Sequence, residues 1–194
     1  MNEEQYKVKC YFQSLLCPLR ATQNFVDIKR YMGTWFVVAM KPAYYEKHAS
    51  NAVHTYSWKD KRGGRITDEY TYTSKGVEKK IVQKAYIYNK VISFRHLLIS
   101  FRDINLTRQE TNAEWRMSPL WPLKLTYLII EIDSASGEAP YSYAVVGFPS
   151  RDHLYILSRS PSLEAGLLSD ITARLAKVHG YDLSNMFTVE HCMK

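Results

Sequence analysis

Cysteine is scarce in this 194-residue chain, confined to Cys10, Cys17 and Cys192. An odd count cannot complete a disulfide framework, and the spacing matches no metal motif. A single tie between the chain ends and three free thiols both stay open. The six histidines, His48, His54, His96, His153, His179 and His191, also lack metal-ligand spacing. No glycine-rich phosphate loop follows a strand signal, and no nucleophile elbow or triad is legible; Ser158 reads as a strand residue. The expectation is a non-enzyme with no cofactor and no metal. Long apolar runs are missing too, so no helix is expected to span a membrane. The N-terminus does not read as an export signal. Glu3 and Glu4 stand where positive charge belongs, and the apolar part from Tyr11 to Leu19 is short and broken by Gln13 and Ser14.

What the chain has is aromatic and β-branched mass and an excess of positive charge. Fifteen tyrosines and four tryptophans favour strands over a helical bundle. Lys and Arg total 26 against 19 Asp and Glu, a formal charge of +7 that is spread rather than run together. Without an RNA-binding motif or a recognition helix, nucleic acid is not expected as a partner. A basic surface of this kind favours anionic lipid head groups.

Strand signals recur at regular spacing near Gly33–Lys41, Ala52–Lys59, Arg65–Tyr72, Lys79–Ile87, Ala113–Pro119, Thr126–Asp133, Tyr141–Gly147 and His153–Ser158. Lys61-Arg62-Gly63-Gly64, Ser74-Lys75-Gly76 and Ser134-Ala135-Ser136-Gly137 punctuate them as turns. Eight strands in this order predict an all-β, up-and-down antiparallel barrel wide enough for one small ligand. Ser160-Pro161 then reads as a helix start, with Leu163, Leu167, Ile171, Leu175 and Val178 on one face against the barrel and Gly180 ending it. Phe187-Thr188-Val189 adds a short edge strand. Residues 1–24 form an N-terminal extension, and residues 25–194 carry the barrel domain.

The segment Val91 to Asn112 is too long for a hairpin turn between the fourth and fifth strands. It reads either as an amphipathic basic element for a membrane surface or as an extra hairpin or helix packed on the barrel. Strand alternation places it at the end of the barrel that holds Trp35.

Two stretches carry a family resemblance: Gly33-Thr34-Trp35 following Tyr31, and Leu154-Tyr155-Ile156-Leu157-Ser158-Arg159-Ser160-Pro161. With the C-terminal helix, they resemble the lipocalin family, and within it the bacterial outer-membrane and apolipoprotein-D-like branch, from about Phe25 to Val189. The resemblance implies that Gly33, Trp35 and Arg159 close the barrel, the guanidinium stacking on the indole. The insertion 90–112 departs from the family pattern. So does the lipidation signal, because Leu16 precedes Cys17 and Pro18 follows it. Family habit points to the cell envelope, periplasm or outer membrane, which the N-terminus does not support.

If Arg159 turns toward Trp35, alternation along the strand turns Leu157 and Tyr155 inward as well. The family carries a pocket aromatic at the position of Tyr155. Val37, Tyr127 and Ile129 are expected at the pocket wall from alternation alone. Tyr44, Tyr45 and Trp121 are expected at the rim, where ordinary loop packing is the competing reading. Tyr44 or Lys47 would hold an anionic head group. The expected function is binding, storage or transport of a small hydrophobic ligand, a fatty acid or lysophospholipid, in the service of membrane maintenance. The alternatives are a membrane-docked interaction protein using the insertion and a lipocalin-type isomerase or de-epoxidase.

Overall fold

The computed structural model describes residues 18–59, 65–88, 111–118, 122–134 and 137–192. The chain enters through a one-turn helix, α1 (Ile28–Tyr31), capped by Asp27, whose carboxylate accepts from the amides of Lys29 at 2.8 Å and Arg30 at 3.4 Å. Gly33 follows at φ +97°, a left-handed conformation that costs glycine nothing, and starts the first strand. The strands are β1 (Gly33–Lys41), β2 (Ala49–Lys59), β3 (Arg65–Ser74), β4 (Val77–Ile87), β5 (Glu114–Ser118), β6 (Leu125–Ile132), β7 (Tyr143–Gly147) and β8 (Leu154–Ser158). Each pairs antiparallel with the next, and β1 pairs with both β2 and β8, so the sheet closes on itself. The eight-stranded barrel read from the alternation is what the chain forms. A ninth strand, β9 (Phe187–Thr188), lies against the far half of β1.

Alternation gives the barrel two apolar layers. Trp35, Val37, Met40, Tyr56, Tyr70, Trp115, Tyr127, Ile129, Tyr155 and Leu157 fill the interior. Val38, Ala39, Leu128, Ile130, Val145, Leu154 and Ile156 face outward and are covered by the helix α2 (Ala165–Lys177) through Ile171 and Leu175. A bulge between Val37 and Ala39 breaks strict alternation and lets Met40 return to the interior.

The helix begins four residues later than Ser160-Pro161 suggests. The Ser160 amide instead donates to Ser158 Oγ at 3.0 Å, a local bond that competes with the helical turn. Glu164 occupies the cap position without a side-chain bond. Val178, expected on the packed face, stands at the C-terminal cap and is exposed. The chain reverses at Gly180, φ +68°, and the Tyr181 amide returns to the Leu175 carbonyl at 3.0 Å.

Glu131 on β6 clips the helix to the wall, accepting from Arg174 at 2.8 Å and meeting His179 at 3.1 Å. Burial alone would raise the Glu131 carboxyl, but the bonds from His179 and Arg174 outweigh it and hold the group below its ordinary value near 4.5. A depressed carboxylate stabilises the fold above its unfolded pKa, and that stabilisation is lost as pH falls through the folded one. Wild type should therefore lose stability below about pH 4.5 more steeply than Glu131→Gln. At neutral pH the variant should be weaker by about 1 kcal/mol, because the Arg174 partner is part-exposed. Urea unfolding across that range measures both effects.

Residues 18–24, assigned from sequence to the N-terminal extension, lie against the barrel. Leu19 is buried in the layer under α2, and the Thr22 amide donates to the Ile129 carbonyl at 2.8 Å. The ends of the insertion reach the Trp35 end, where the Val26 amide bonds the Thr111 carbonyl. The insertion itself (residues 89–110), the turn at residues 61–64, Cys10 and Cys17 lie outside the described residues, and Cys192 is a free, exposed thiol.

Candidate functional site: a closed floor and an aromatic cup

The floor is built around Trp35. The Arg159 guanidinium carbon lies 3.8 Å from its ring centre, and the indole Nε1–H donates to the Tyr31 carbonyl at 2.7 Å. Arg159 also donates to the carbonyls of Arg30 (2.9 Å), Tyr31 (3.1 Å), Met32 (2.8 Å) and Thr34 (2.7 Å). It thereby caps the end of α1, ties it to β1 and closes the seam with β8. A Cβ at Gly33 would meet Nη1 of Arg159 at 3.4 Å, an ordinary van der Waals contact, so it is the positive φ and not space that asks for glycine here.

Above Trp35, Tyr31, Tyr56, Trp115 and Tyr127 pack as a block, with Trp115 and Tyr127 stacked at 5.0 Å. Their phenols form a chain: Tyr127 lies 3.1 Å from Tyr31 and 2.7 Å from Tyr56, oxygen to oxygen. Burial pushes the phenols of Tyr56 and Tyr127 well up, so both stay neutral. This end of the barrel is solid.

Toward the other end the interior opens into a cavity of about 490 Å³. Its wall is aromatic (Tyr45, Tyr70, Tyr127, Phe148 and Tyr155) with Met117 and Leu125 filling between. Polar groups stand in this wall and directly behind it. Asp68 is fully buried and takes His54 Nδ1–H at 2.9 Å and Gln83 at 3.2 Å. Glu46 ends the single 3-10 turn Tyr44–Glu46 in the loop after β1, and is also fully buried. It folds back onto the Ala43 amide at 2.7 Å and accepts the Tyr155 hydroxyl at 3.0 Å. The Tyr155 phenol is pushed well up by burial, with Glu46 adding to the effect, so it remains a donor. One bond thus both pins the loop at the mouth and sets the polar handle of Tyr155.

Of the residues expected at the pocket, Tyr155, Tyr127 and Tyr45 line the cavity. Val37 and Ile129 do face the interior, but they lie within the packed core and do not reach the cavity wall. Tyr44 is 84% exposed, outside the cavity, with the Lys47 ammonium 5.0 Å over its ring. Trp121 lies outside the described residues. Gly33, Trp35 and Arg159 meet as expected. Sequence reasoning missed Glu46, His54, Asp68, Tyr70, Gln83, Met117 and Phe148. The signal for Asp68 was available: Ile66, Asp68, Tyr70 and Tyr72 share one face of β3, so an acid stands where a core residue belongs.

A closed barrel with a sealed floor, a helix on its flank and a cup at the open end defines a lipocalin. The lipocalin-like domain model matches residues 26–191, and the chain belongs to that family. Within it, the sequence is similar to bacterial outer-membrane lipoproteins. It is 27% identical over 167 residues to the outer membrane lipoprotein Blc of Escherichia coli K12, covering 86% of this chain and 80% of that one. It is 25% identical over 164 residues to Blc of Vibrio cholerae, covering 84% and 82%. Temperature-induced lipocalin-1 of Arabidopsis thaliana is 23% identical over 176 residues, covering 83% and 77%. The fold matches insecticyanin from the tobacco hornworm Manduca sexta, with TM-score 0.57, 17% identity, and 91% and 86% of the two chains covered. It also matches lobster apocrustacyanin A1, with TM-score 0.57, 13% identity, and 91% and 92% covered. Lipocalins bind small hydrophobic ligands, and this chain has the family's fold.

Proposed function

We propose that the protein binds and carries a single-chain amphiphile, a fatty acid or lysophospholipid, tail first in the barrel cavity, in the service of membrane maintenance. The observation that carries this reading is the distribution of charge around the cup. Asp68 is buried in its wall and Glu46 behind it, bonded to Tyr155, and among the described lining residues Lys124, next to the mouth, supplies the only lysine or arginine. An anionic head inside would meet the Asp68 carboxylate, with Glu46 behind Tyr155, and no lysine or arginine, whereas at the mouth it meets Lys124. An apolar tail meets the aromatic wall and gains from leaving water. Tyr155, Tyr127 and Tyr45 are the ligand-contacting residues of this reading, with Lys124 added to the expected set. The exposed Tyr44 and Lys47, and Leu123 and Val77 around the rim, give the mouth an apolar and basic margin suited to an anionic lipid surface.

The reading is of a carrier rather than an enzyme. Burial keeps the cavity phenols protonated, which suits hydrogen bonding and removes them as nucleophiles at neutral pH. The isomerase alternative rests on the His54–Asp68 pair. Native mass spectrometry of protein purified from cells, followed by lipid extraction, tests both. The expected result is one acyl amphiphile per chain, recovered chemically unchanged. An empty protein that also ignores added acyl chains refutes the carrier, and a converted ligand refutes the non-enzyme.

A further inference from the structure

Among the described residues lining the cavity, three have a buried polar atom without a partner, His54, Tyr70 and His153, and the first two stand side by side. His54 and Tyr70 are neighbours across β2 and β3, stacked at 4.2 Å and 13°, and both line the cup. His54 is 3% exposed and Tyr70 2%, yet His54 Nε2 and the Tyr70 hydroxyl make no hydrogen bond. An unsatisfied buried polar group is costly, and two side by side facing an open volume call for a shared partner.

The chemistry of that partner follows from the surroundings. Asp68 accepts through both oxygens at the Nδ1 side, 2.9 and 3.1 Å, so Nδ1 carries a proton, and in the tautomer which that fixes Nε2 is an acceptor. Asp68 is itself held by Gln83, and the ring is clamped between Tyr56 and Tyr70 with Tyr155 at its edge, so Nε2 cannot swing away. The Tyr70 phenol is held protonated by burial and by the Glu46 carboxylate, which also draws its hydroxyl, and with no bond made at hydrogen-bond distance its proton is able to turn to a ligand oxygen. An acceptor beside a donor matches a group that is both at once. A carboxylate there would face Asp68 and Glu46. An ammonium would have to shed its water among two carboxylates that each already have two donors. A neutral alcohol fits.

We propose that His54 and Tyr70 form a hydroxyl-reading subsite that selects acyl ligands carrying an alcohol on their hydrophobic portion. The ligand hydroxyl donates to His54 Nε2 and accepts from the Tyr70 phenol. This rests on the reading of the cavity as an acyl site and names the substituent that it prefers.

The test is a calorimetric titration of the full chain with stearic acid, a set of hydroxystearic acids differing in hydroxyl position, and octadecylamine. At least one hydroxy acid should bind about tenfold tighter than stearic acid, the effect of one well-placed hydrogen bond to a buried site. Tyr70→Phe keeps the stacked ring and should bring that ratio to about one; His54→Gln, which keeps a polar partner for Asp68, should reduce it as well. If every hydroxy acid binds no better than stearic acid, the subsite is refuted while the acyl cavity stands. If octadecylamine is the preferred ligand and Tyr70→Phe removes the preference, the subsite reads a cation and the proposal is overturned. If neither stearic acid nor any hydroxy acid binds, the acyl reading fails and the subsite falls with it.

Discussion

Affinity for saturated fatty acids rises about fourfold with each added methylene until the cup is full, and then levels off. The slope comes from about 0.8 kcal/mol for each methylene moved from water to an apolar wall. Here the wall is Met117, Leu125, Phe148 and the tyrosine faces, and it encloses about 490 Å³, within the range of ordinary ligand sites. The plateau has a structural cause: the cavity stops at the block of Tyr127, Tyr56, Trp115 and Tyr31, whose hydrogen-bonded phenols and stacked rings leave no path to the floor. Over a series of six methylenes the expected gain is about four thousandfold. Competition against a fluorescent acyl probe measures it. A flat series would mean that the tail does not enter the barrel.

Arg159→Ala should destabilise the domain by about 3–5 kcal/mol, among the largest effects expected of a single substitution. The change strips the Trp35 ring of its cover and leaves the carbonyls of Arg30, Tyr31, Met32 and Thr34 without their shared donor. Hydrogen bonds from a charged donor are worth about 1.5–3 kcal/mol each, and several of these are part-buried. Arg159→Lys should recover less than half of the loss, because a single ammonium can neither stack flat on the indole nor reach carbonyls from α1 and β1 at once. In urea, the midpoint should fall while the slope is kept. Below its unfolding transition, the alanine variant should still bind the acyl probe, because the seam lies beneath the block that closes the cavity.

The strands were legible because their alternation is clean and glycine turns divide them; Gly33–Lys41 and Arg65–Ser74 are read almost residue for residue. The Trp35–Arg159 closure was legible because a large indole at a strand start needs a flat polar cover. Three features were not. The helix start was misread because Ser160 looks like a cap, while its amide is engaged by Ser158. Val37 and Ile129 were placed on the right face but not at the right height, since alternation fixes the side of the sheet and not the distance from the floor. Glu46 could not be found, because its role depends on a loop folding an acid inward onto Ala43 and Tyr155. His54 and Asp68 lay between these extremes: alternation turned them inward, but only the register across β2, β3 and β4 shows that they meet.

The central claim is that the ligand sits in the barrel and not in a groove on its surface, and Met117→Trp tests it most directly. Met117 lines the cavity and is 3% exposed, on β5 beside Leu125 of β6. An indole there projects into open volume, so stability should change by about 1 kcal/mol or less while the space for an acyl tail is lost. The account predicts that the variant, with an unfolding midpoint near wild type, binds the fluorescent acyl probe at least about tenfold more weakly, the equivalent of some two excluded methylenes. A folded Met117→Trp protein that binds the probe as tightly as wild type would contradict it.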